Sequence, residues 1–436
     1  MNMLGTFNES TFVLPEGENS ESIIEIVEFC SRLCDFSDKN VKKIIAEKTQ
    51  RLKRLNDIVS DPIALRAMDS STLNGLFNMI QVNLIRDIPP PPPEYIYADS
   101  KVMYSASNWI HLGLIHKILH SIVVNYDPAI ISNYLSKNFM AQYIYLLSSP
   151  DNSEQNTVEI FIYHVFNSVP GFRQVIFNTF VKLLKRYIDN SLYYQPVSMT
   201  LKFFLYYFKS LSSPLKPQYI SLYQILIFPL ISKPFMFDFF ESFHLLSTFY
   251  VENIPNLASW SLEFMFKHWP VTDSNKITAF LAHLVPLASS LNVLTLKPLV
   301  RPIFLRLSSS LLSPNYKVSS TALELLLNPK FIFSFNSFSK EFIPLLFRGI
   351  DHCSRHWNQD VRKMSSEVYR TLFAIDSQTV NKLKMDSMPE MSSEDIPTAR
   401  YWLIIAQQSK SIDANIDLDI VRSYIEKKFG LARLCL

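Results

Sequence analysis

The sequence predicts an all-α chain assembled from repeated amphipathic helices, and three observations carry that expectation. Glycine is nearly absent: there are seven in 436 residues, where about 7% is usual. Gly-rich phosphate loops, dinucleotide fingerprints and tight-turned β-architectures all draw on glycine at positive φ, which this chain cannot supply. Apolar residues recur at the helical spacing i, i+3, i+4, i+7 along most of the chain. Short breaks separate these stretches, and three share one signature: Leu147-Ser148-Ser149-Pro150, Leu211-Ser212-Ser213-Pro214 and Leu312-Ser313-Pro314. Serine caps a helix and proline suits its first turn, so each break ends one helix and starts the next. Helices of this length between such corners fit a HEAT-like unit of about 40 to 47 residues, stacked as a curved superhelical solenoid. The rhythm is one of helices; no strict sequence period accompanies it.

In chain order, residues 1–21 are acidic and rich in Ser and Asn, which predicts a mobile tail. They hold neither the basic nor the apolar region of a signal peptide. Cys30 and Cys34 are four apart, on one helix face, where thiols pack as small apolar groups. Lys42, Lys43, Lys48, Arg51, Lys53 and Arg54 interleave with Ile44, Ile45, Leu52 and Leu55. That pattern is an amphipathic helix with a solvated basic face, or less simply a nuclear-import or nucleic-acid element. Pro89 to Pro93 force an extended segment that is either a rigid connector or a ligand for a proline-binding domain.

Further stripes follow: Val158, Phe161, Ile162, Val165, Phe166 and Val169; then Phe172, Ile176, Phe180, Leu183, Leu184 and Tyr187 beyond Pro170-Gly171. Later ones are Ile277, Phe280, Leu281 and Leu284, and Val361, Met364, Val368 and Leu372. Between Ser191 and Ile350 only 13 Lys+Arg and 7 Asp+Glu occur, amid the crowded Phe203, Phe204, Phe208, Phe228, Phe235, Phe237, Phe239, Phe240 and Phe243. Most of these rings are expected in the core, and a few along an exposed apolar groove that marks a partner site. The domain reading is a tail over 1–21, a solenoid over 22–385 and a helical extension over 386–436, with helices around Trp402 and Ile420.

The net charge of +3 does not mark a polyanion binder, so nucleic acid is not an expected partner. The longest apolar run, Ile225 to Ile231, is interrupted by Pro229 and falls far short of the roughly 18 residues a membrane helix needs. Four scattered cysteines, Cys30, Cys34, Cys353 and Cys435, make no disulfide framework and point to a reducing compartment, cytoplasmic or nuclear. No nucleophile–base set, P-loop, H-E-x-x-H or C-x-x-C occurs, so neither catalysis nor a cofactor is expected. His116 and His120 have metal-ligand spacing, but no third ligand is near, and a structural or surface role is the plainer reading. His352, Cys353 and His356 are read the same way.

Several phrases then converge. Cys34-Asp35-Phe36-Ser37-Asp38, Asn83-Leu84-Ile85-Arg86 before the prolines, Asn108-Trp109-Ile110-His111-Leu112 and Tyr134-Leu135-Ser136-Lys137-Asn138-Phe139 come in order. Ser149-Pro150-Asp151 with Glu154 follows, then His268-Trp269-Pro270 with Thr272, Ser274 and Lys276. Ser313-Pro314-Asn315-Tyr316-Lys317-Val318 and His356-Trp357-Asn358 complete the set. In order and spacing, over about residues 26 to 385, they resemble the B-prime regulatory subunits of protein phosphatase 2A. The resemblance implies a non-catalytic targeting subunit that docks on the phosphatase scaffold and catalytic subunits. It also implies a groove between repeats that binds L-x-x-I-x-E motifs of substrates or adaptors, apolar pockets taking Leu and Ile and cations taking Glu.

By the same resemblance, peptide contacts fall to Tyr163, His164, Phe166, Arg173, Phe203, Tyr207, Lys216 and Tyr219. Arg173 and Lys216 would hold the acidic residue and the rings the apolar anchors. The family's His-Arg-x-Tyr is here Tyr163, His164, Val165 and Phe166, so a fixed cation has become a titratable imidazole and a hydroxyl is lost. A more aromatic groove, weaker for the standard motif, is expected. Alternatively, these aromatics simply pack between repeats. The family's W-N-N-E-Y is replaced by Leu326, Leu327, Asn328, Pro329 and Lys330. That replacement leaves a second reading open: a helical adaptor or transport protein that no longer binds the phosphatase.

Overall fold

A computed structural model describes residues 22–88, 105–189, 195–211, 215–233, 235–386, 395–412 and 417–429, and every regular element among them is helical. The expected tail, the proline run and the Ser212–Pro214 corner lie outside the described residues. The chain divides between Asn253 and Ile254 into two units.

The first unit contains α1 (Ile23–Cys30), α2 (Lys42–Ser60), α3 (Pro62–Arg66), α4 (Ser70–Leu84), α5 (Trp109–Asn125) and α6 (Pro128–Tyr134). It continues with α7 (Lys137–Tyr145), α8 (Asn152–Ser168), α9 (Arg173–Ile188), α10 (Gln195–Lys209), α11 (Pro217–Leu222) and α12 (Phe240–Asn253). Ser22 and Glu25 form a reciprocal capping box that starts α1. Helix α2 lies along α5, α4 packs on both α1 and α5, and α5 reaches α8; α9 then joins α7 to α10, which packs on α12. After α11 the chain widens into a π-helical turn, Tyr223–Ile227, and tightens into 3-10 turns, Phe228–Ser232 and Met236–Asp238. Pro229 explains the change of register, since it offers no N–H and its ring clashes with the preceding turn. Phe235 holds a left-handed φ of 55°, a strained conformation for a bulky residue.

The second unit contains α13 (Asn256–Lys267), α14 (Ser274–Ser289), α15 (Val293–Leu311), α16 (Tyr316–Leu327), α17 (Pro329–Phe335) and α18 (Ser339–Ser354). Helices α19 (Gln359–Ile375), α20 (Ser377–Asp386), α21 (Asp395–Ile412) and α22 (Leu418–Phe429) follow. Its packing is that of a two-layer helical repeat: α13, α15, α18 and α20 stack in one layer, and α14, α16 and α19 in the other. At the crossing of α15 and α18, a Cβ on Gly349 would sit 2.7 Å from that of Leu311, so only glycine lets the helices approach. Helices α21 and α22 pack on each other.

The Ser-Pro corners are breaks, as expected, but the serine is not the cap. Ser149 Oγ accepts from the Asp151 N–H, Asp151 caps α8 through the Ser153 N–H, and Gln155 Nε2 donates to the Ser149 carbonyl. Ser313, Asn315 and Ser319 repeat this at α16. His356, Asn358 and Arg362 repeat it at α19, with imidazole Nδ1 replacing the hydroxyl. Each corner satisfies orphan groups at a helix start by one three-residue logic. Ser313 and His356 are about one HEAT-like unit apart. The repeat is thus written in hydrogen bonds across chemically different side chains.

Two expectations need correction. Helix α1 ends at Cys30, so Cys34 lies in the following loop rather than on the same helix face. Lys48 is not on a solvated face: it is 1% exposed, and its ammonium donates to the Arg32 carbonyl and to Asn83 Oδ1. Of the crowded phenylalanines, Phe203, Phe204, Phe208, Phe228, Phe239 and Phe243 are buried, while Phe235 and Phe237 are exposed.

Candidate peptide groove

Helix α8 carries three of the expected peptide contacts, and its N-terminal end is fixed first. Glu154, fully buried in the first turn, receives Arg86 from beyond α4 at 2.7 Å and faces His116 Nε2 on α5 at 3.5 Å. Burial alone would raise this carboxyl, but the facing His116 imidazole and the hydrogen bond and positive charge of Arg86 hold it at about 2. His116 is kept neutral by burial. The buried Tyr143 hydroxyl lies 2.8 Å from His116 Nδ1. Burial and the Glu154 charge push its pKa up, so it keeps its proton and donates. Nearby, Asp151 Oδ2 accepts the Ala106 N–H. The phrases holding Asn83, Arg86, His111, Ser149, Asp151 and Glu154 therefore do structural work. Asn83 bonds Lys48, Cys30 and Met79, and His111 Nε2 lies 3.1 Å from the Ile45 carbonyl.

Toward its other end α8 presents rings. Tyr163 meets Tyr206 edge-on at 5.1 Å, and Phe166 meets Phe203 at 5.3 Å and Tyr207 at 5.9 Å. Phe203 is also stacked on Phe180 of α9 at 4.4 Å. The Tyr207 and Tyr219 hydroxyls are 2.9 Å apart. Burial first, then this shared hydrogen bond, push the Tyr207 hydroxyl up to about 12. Tyr163 is raised by burial, with Glu159 and Tyr206 adding to it. Arg173 Nε donates to the Phe166 carbonyl at 2.9 Å and its guanidinium stands 5.5 Å over the Phe166 ring. Its Nη2 also donates to the Asn167 carbonyl at 3.4 Å, so Arg173 closes the α8 C-terminus, where the helix dipole favours a cation, with two of its five N–H donors.

Of the eight expected residues, Tyr163, Phe166, Arg173, Phe203, Tyr207 and Tyr219 form one continuous cluster. Within it Phe166, Phe203 and Tyr219 are buried, so their rings support the face from below, while Tyr163 and Tyr207 are half-buried. His164 stands elsewhere, edge-on to His120 of α5 at 5.6 Å. Lys216 is exposed just before α11. Two participants were missed by sequence reasoning. Tyr206 is 39% exposed and bonds Asn167 Oδ1 at 2.7 Å; Phe177 touches Phe204, Tyr207, Phe208 and Tyr219. Their signal was helical spacing, i+3 from Phe203 and i+4 from Arg173. The former W-N-N-E-Y segment makes a corner, where Leu326 is buried and Asn328 caps α17 through the Lys330 and Phe331 N–H groups.

Among the described residues, no group of three or more His, Cys, Asp and Glu side chains gathers to hold a metal. Nor is any helix there long and apolar enough to cross a membrane. The fold is a stack of helix pairs that carries an aromatic, cation-edged face. Comparison with known proteins gives the family. Residues 10–409 match the protein phosphatase 2A regulatory B subunit (B56 family), and the chain belongs to that family. A B' kappa 57 kDa regulatory subunit of phosphatase 2A from Arabidopsis thaliana is 24% identical over 378 residues, 83% of this chain and 74% of the relative. The Mus musculus 56 kDa regulatory subunit alpha isoform is 21% identical over 384 residues, 86% of this chain and 78% of its own. The role of the chain is regulatory and non-catalytic.

Proposed function

We propose that this subunit docks on the scaffold and catalytic subunits of phosphatase 2A and recruits substrate or adaptor proteins by a short linear motif lying against α8, α9 and α10. In this reading residues 22–385 are the docking body, 386–436 an extension, and the setting is cytoplasm or nucleus. The observation that carries it is Arg173 standing over the Phe166 edge of a ring cluster that runs to Tyr219. A cation beside apolar rings is the chemistry an apolar-plus-acidic motif needs. Lys216, exposed just before α11, would hold the acidic residue together with Arg173, while His164, beside His120, would reach the motif only outside the ring cluster.

The test is fluorescence anisotropy of a labelled L-x-x-I-x-E peptide on the full chain and on Arg173→Ala. Loss of one charge-assisted contact should weaken binding at least about tenfold. Unchanged affinity would remove the groove assignment. Docking is tested separately by co-purification with the scaffold and catalytic subunits. Recovery of other partners without them would favour an adaptor that no longer binds the phosphatase. The half-buried Leu327 and the exposed Pro329, at the positions of an asparagine and the glutamate in the family's W-N-N-E-Y, are the observation that gives that second reading its weight.

A further inference from the structure

In the second unit a cavity of about 560 Å³ opens at the corner between α18 and α19. Its basic lining comes from Arg348, His352, Arg355 and His356. Arg355 is already paired with Asp351 one turn earlier, whereas Arg348 is exposed and meets no carboxylate among the described residues. The site therefore carries one uncompensated guanidinium. Its other wall is apolar: Leu312, Pro314 and Trp357, the last 70% exposed and edge-on to Tyr316 at 5.9 Å.

The most telling group is His356. Its ring is 6% exposed, and Nδ1 accepts the Asn358 N–H at 3.1 Å. With Nδ1 occupied as an acceptor, the neutral ring carries its proton on Nε2. That Nε2 is buried and finds no hydrogen-bond partner among the described residues. Burial, together with the charges of His352 and Arg362, keeps the ring neutral. The corner does not swing to relieve this, because Arg362 donates to the carbonyls of both His356 and Trp357, at 2.7 and 2.9 Å. A buried donor without an acceptor is costly, and the fixed loop preserves it. A lone guanidinium, an idle N–H and an exposed indole on one cavity fit a singly charged acceptor with an apolar neighbour.

We propose that this cavity binds the carboxylate of an Asp or Glu in an extended partner peptide, with an adjacent apolar side chain lying on Trp357. This site is separate from the α8–α10 cluster and does not rest on its assignment.

The probe is a fluorescein-labelled hexapeptide pool, X-X-Glu-X-X-X with X drawn from Leu, Phe, Pro and Ser, read by anisotropy on the full chain. Binding should fall at least about tenfold for Arg348→Gln, for Trp357→Ala and for the matching Gln pool. Both substituted residues are exposed, so the fold is kept. Arg173→Ala should leave binding unchanged. Equal binding of the Glu and Gln pools, insensitivity to Arg348→Gln, a loss with Arg173→Ala, or no saturable binding overturns the proposal. A phosphoserine pool binding more than about tenfold tighter than the Glu pool would also overturn it, assigning the cavity to a phosphorylated partner instead.

Discussion

The two ends of α8 are held by opposite means. At Glu154 the helix is fixed by a fully buried carboxylate between Arg86 and His116, partners 68 and 38 positions earlier in the chain. At Phe166 it is fixed by rings from α9 and α10 and by a guanidinium that closes its last turn. The charged end is rigid because a buried ion without its partner is heavily penalised, so the helix has few alternatives there. The aromatic end is held by many individually small contacts, each replaceable and several half-open to a ligand. A helix anchored by charge at one end can present an adaptable face at the other. It also follows that pH should act on the first end and hardly on the second.

The comparison breaks most severely with Glu154→Ala. Removing the carboxylate leaves Arg86 partly buried and His116 facing an empty site, a change that costs about 3 to 5 kcal/mol for a buried pair. The first unit should unfold at clearly lower urea, read by circular dichroism. A shift no larger than that of an exposed substitution on α8 would show that the junction does not hold the helix.

A smaller effect, and a sharper one, comes from titration. The Glu154 carboxyl is held at about 2 in the fold against an ordinary 4.5. Its stabilisation is therefore complete above pH 4.5 and lost as pH falls toward 2, a total of about 3 kcal/mol. His116 adds a limb at higher pH. Its folded pKa lies below 6.5, so the unfolded chain binds the extra proton and stability starts to fall below that pH. In Glu154→Gln the acid limb should flatten while the affinity of a groove peptide at neutral pH stays the same. An unaltered acid limb would place the acid sensitivity elsewhere.

How far the sequence revealed this arrangement depended on how local the cause was. The amphipathic stripe from Val158 to Val169 and the corner at Pro170 were legible because helix periodicity and turn chemistry act within a few residues. The family phrases were legible as order and spacing, but not as structure: Arg86 and Glu154 are far apart in sequence, and nothing local says that they meet. Lys48 was misread for the same reason. A lysine on an amphipathic helix reads as solvated unless its partner is known, and that partner, Asn83, lies two helices on. Cap identity at the Ser-Pro corners failed by two residues, since Asp and Asn outcompete the serine once it turns to hold their N–H groups. Within the groove, residue type predicted the rings, while their burial was set by α9 and α10 and could not be read from α8.

The smallest expected effect tests the aromatic end directly. Tyr207→Phe deletes one hydroxyl from the 2.9 Å pair with Tyr219 and leaves the edge-on contact of the two rings intact. A neutral hydrogen bond of this kind contributes about 1 kcal/mol, and Tyr219 still donates to water or to a ligand through the half-open face. Stability should therefore drop by at most that amount. Peptide binding should change more than stability does if the hydroxyl pair faces the motif, and not at all if the pair only ties α10 to α11. Measuring both on the same variant separates a ligand-facing aromatic surface from an interior that happens to be rich in tyrosine. The second outcome would leave Arg173 and Tyr163 as the groove's working contacts and shorten the site by one helix.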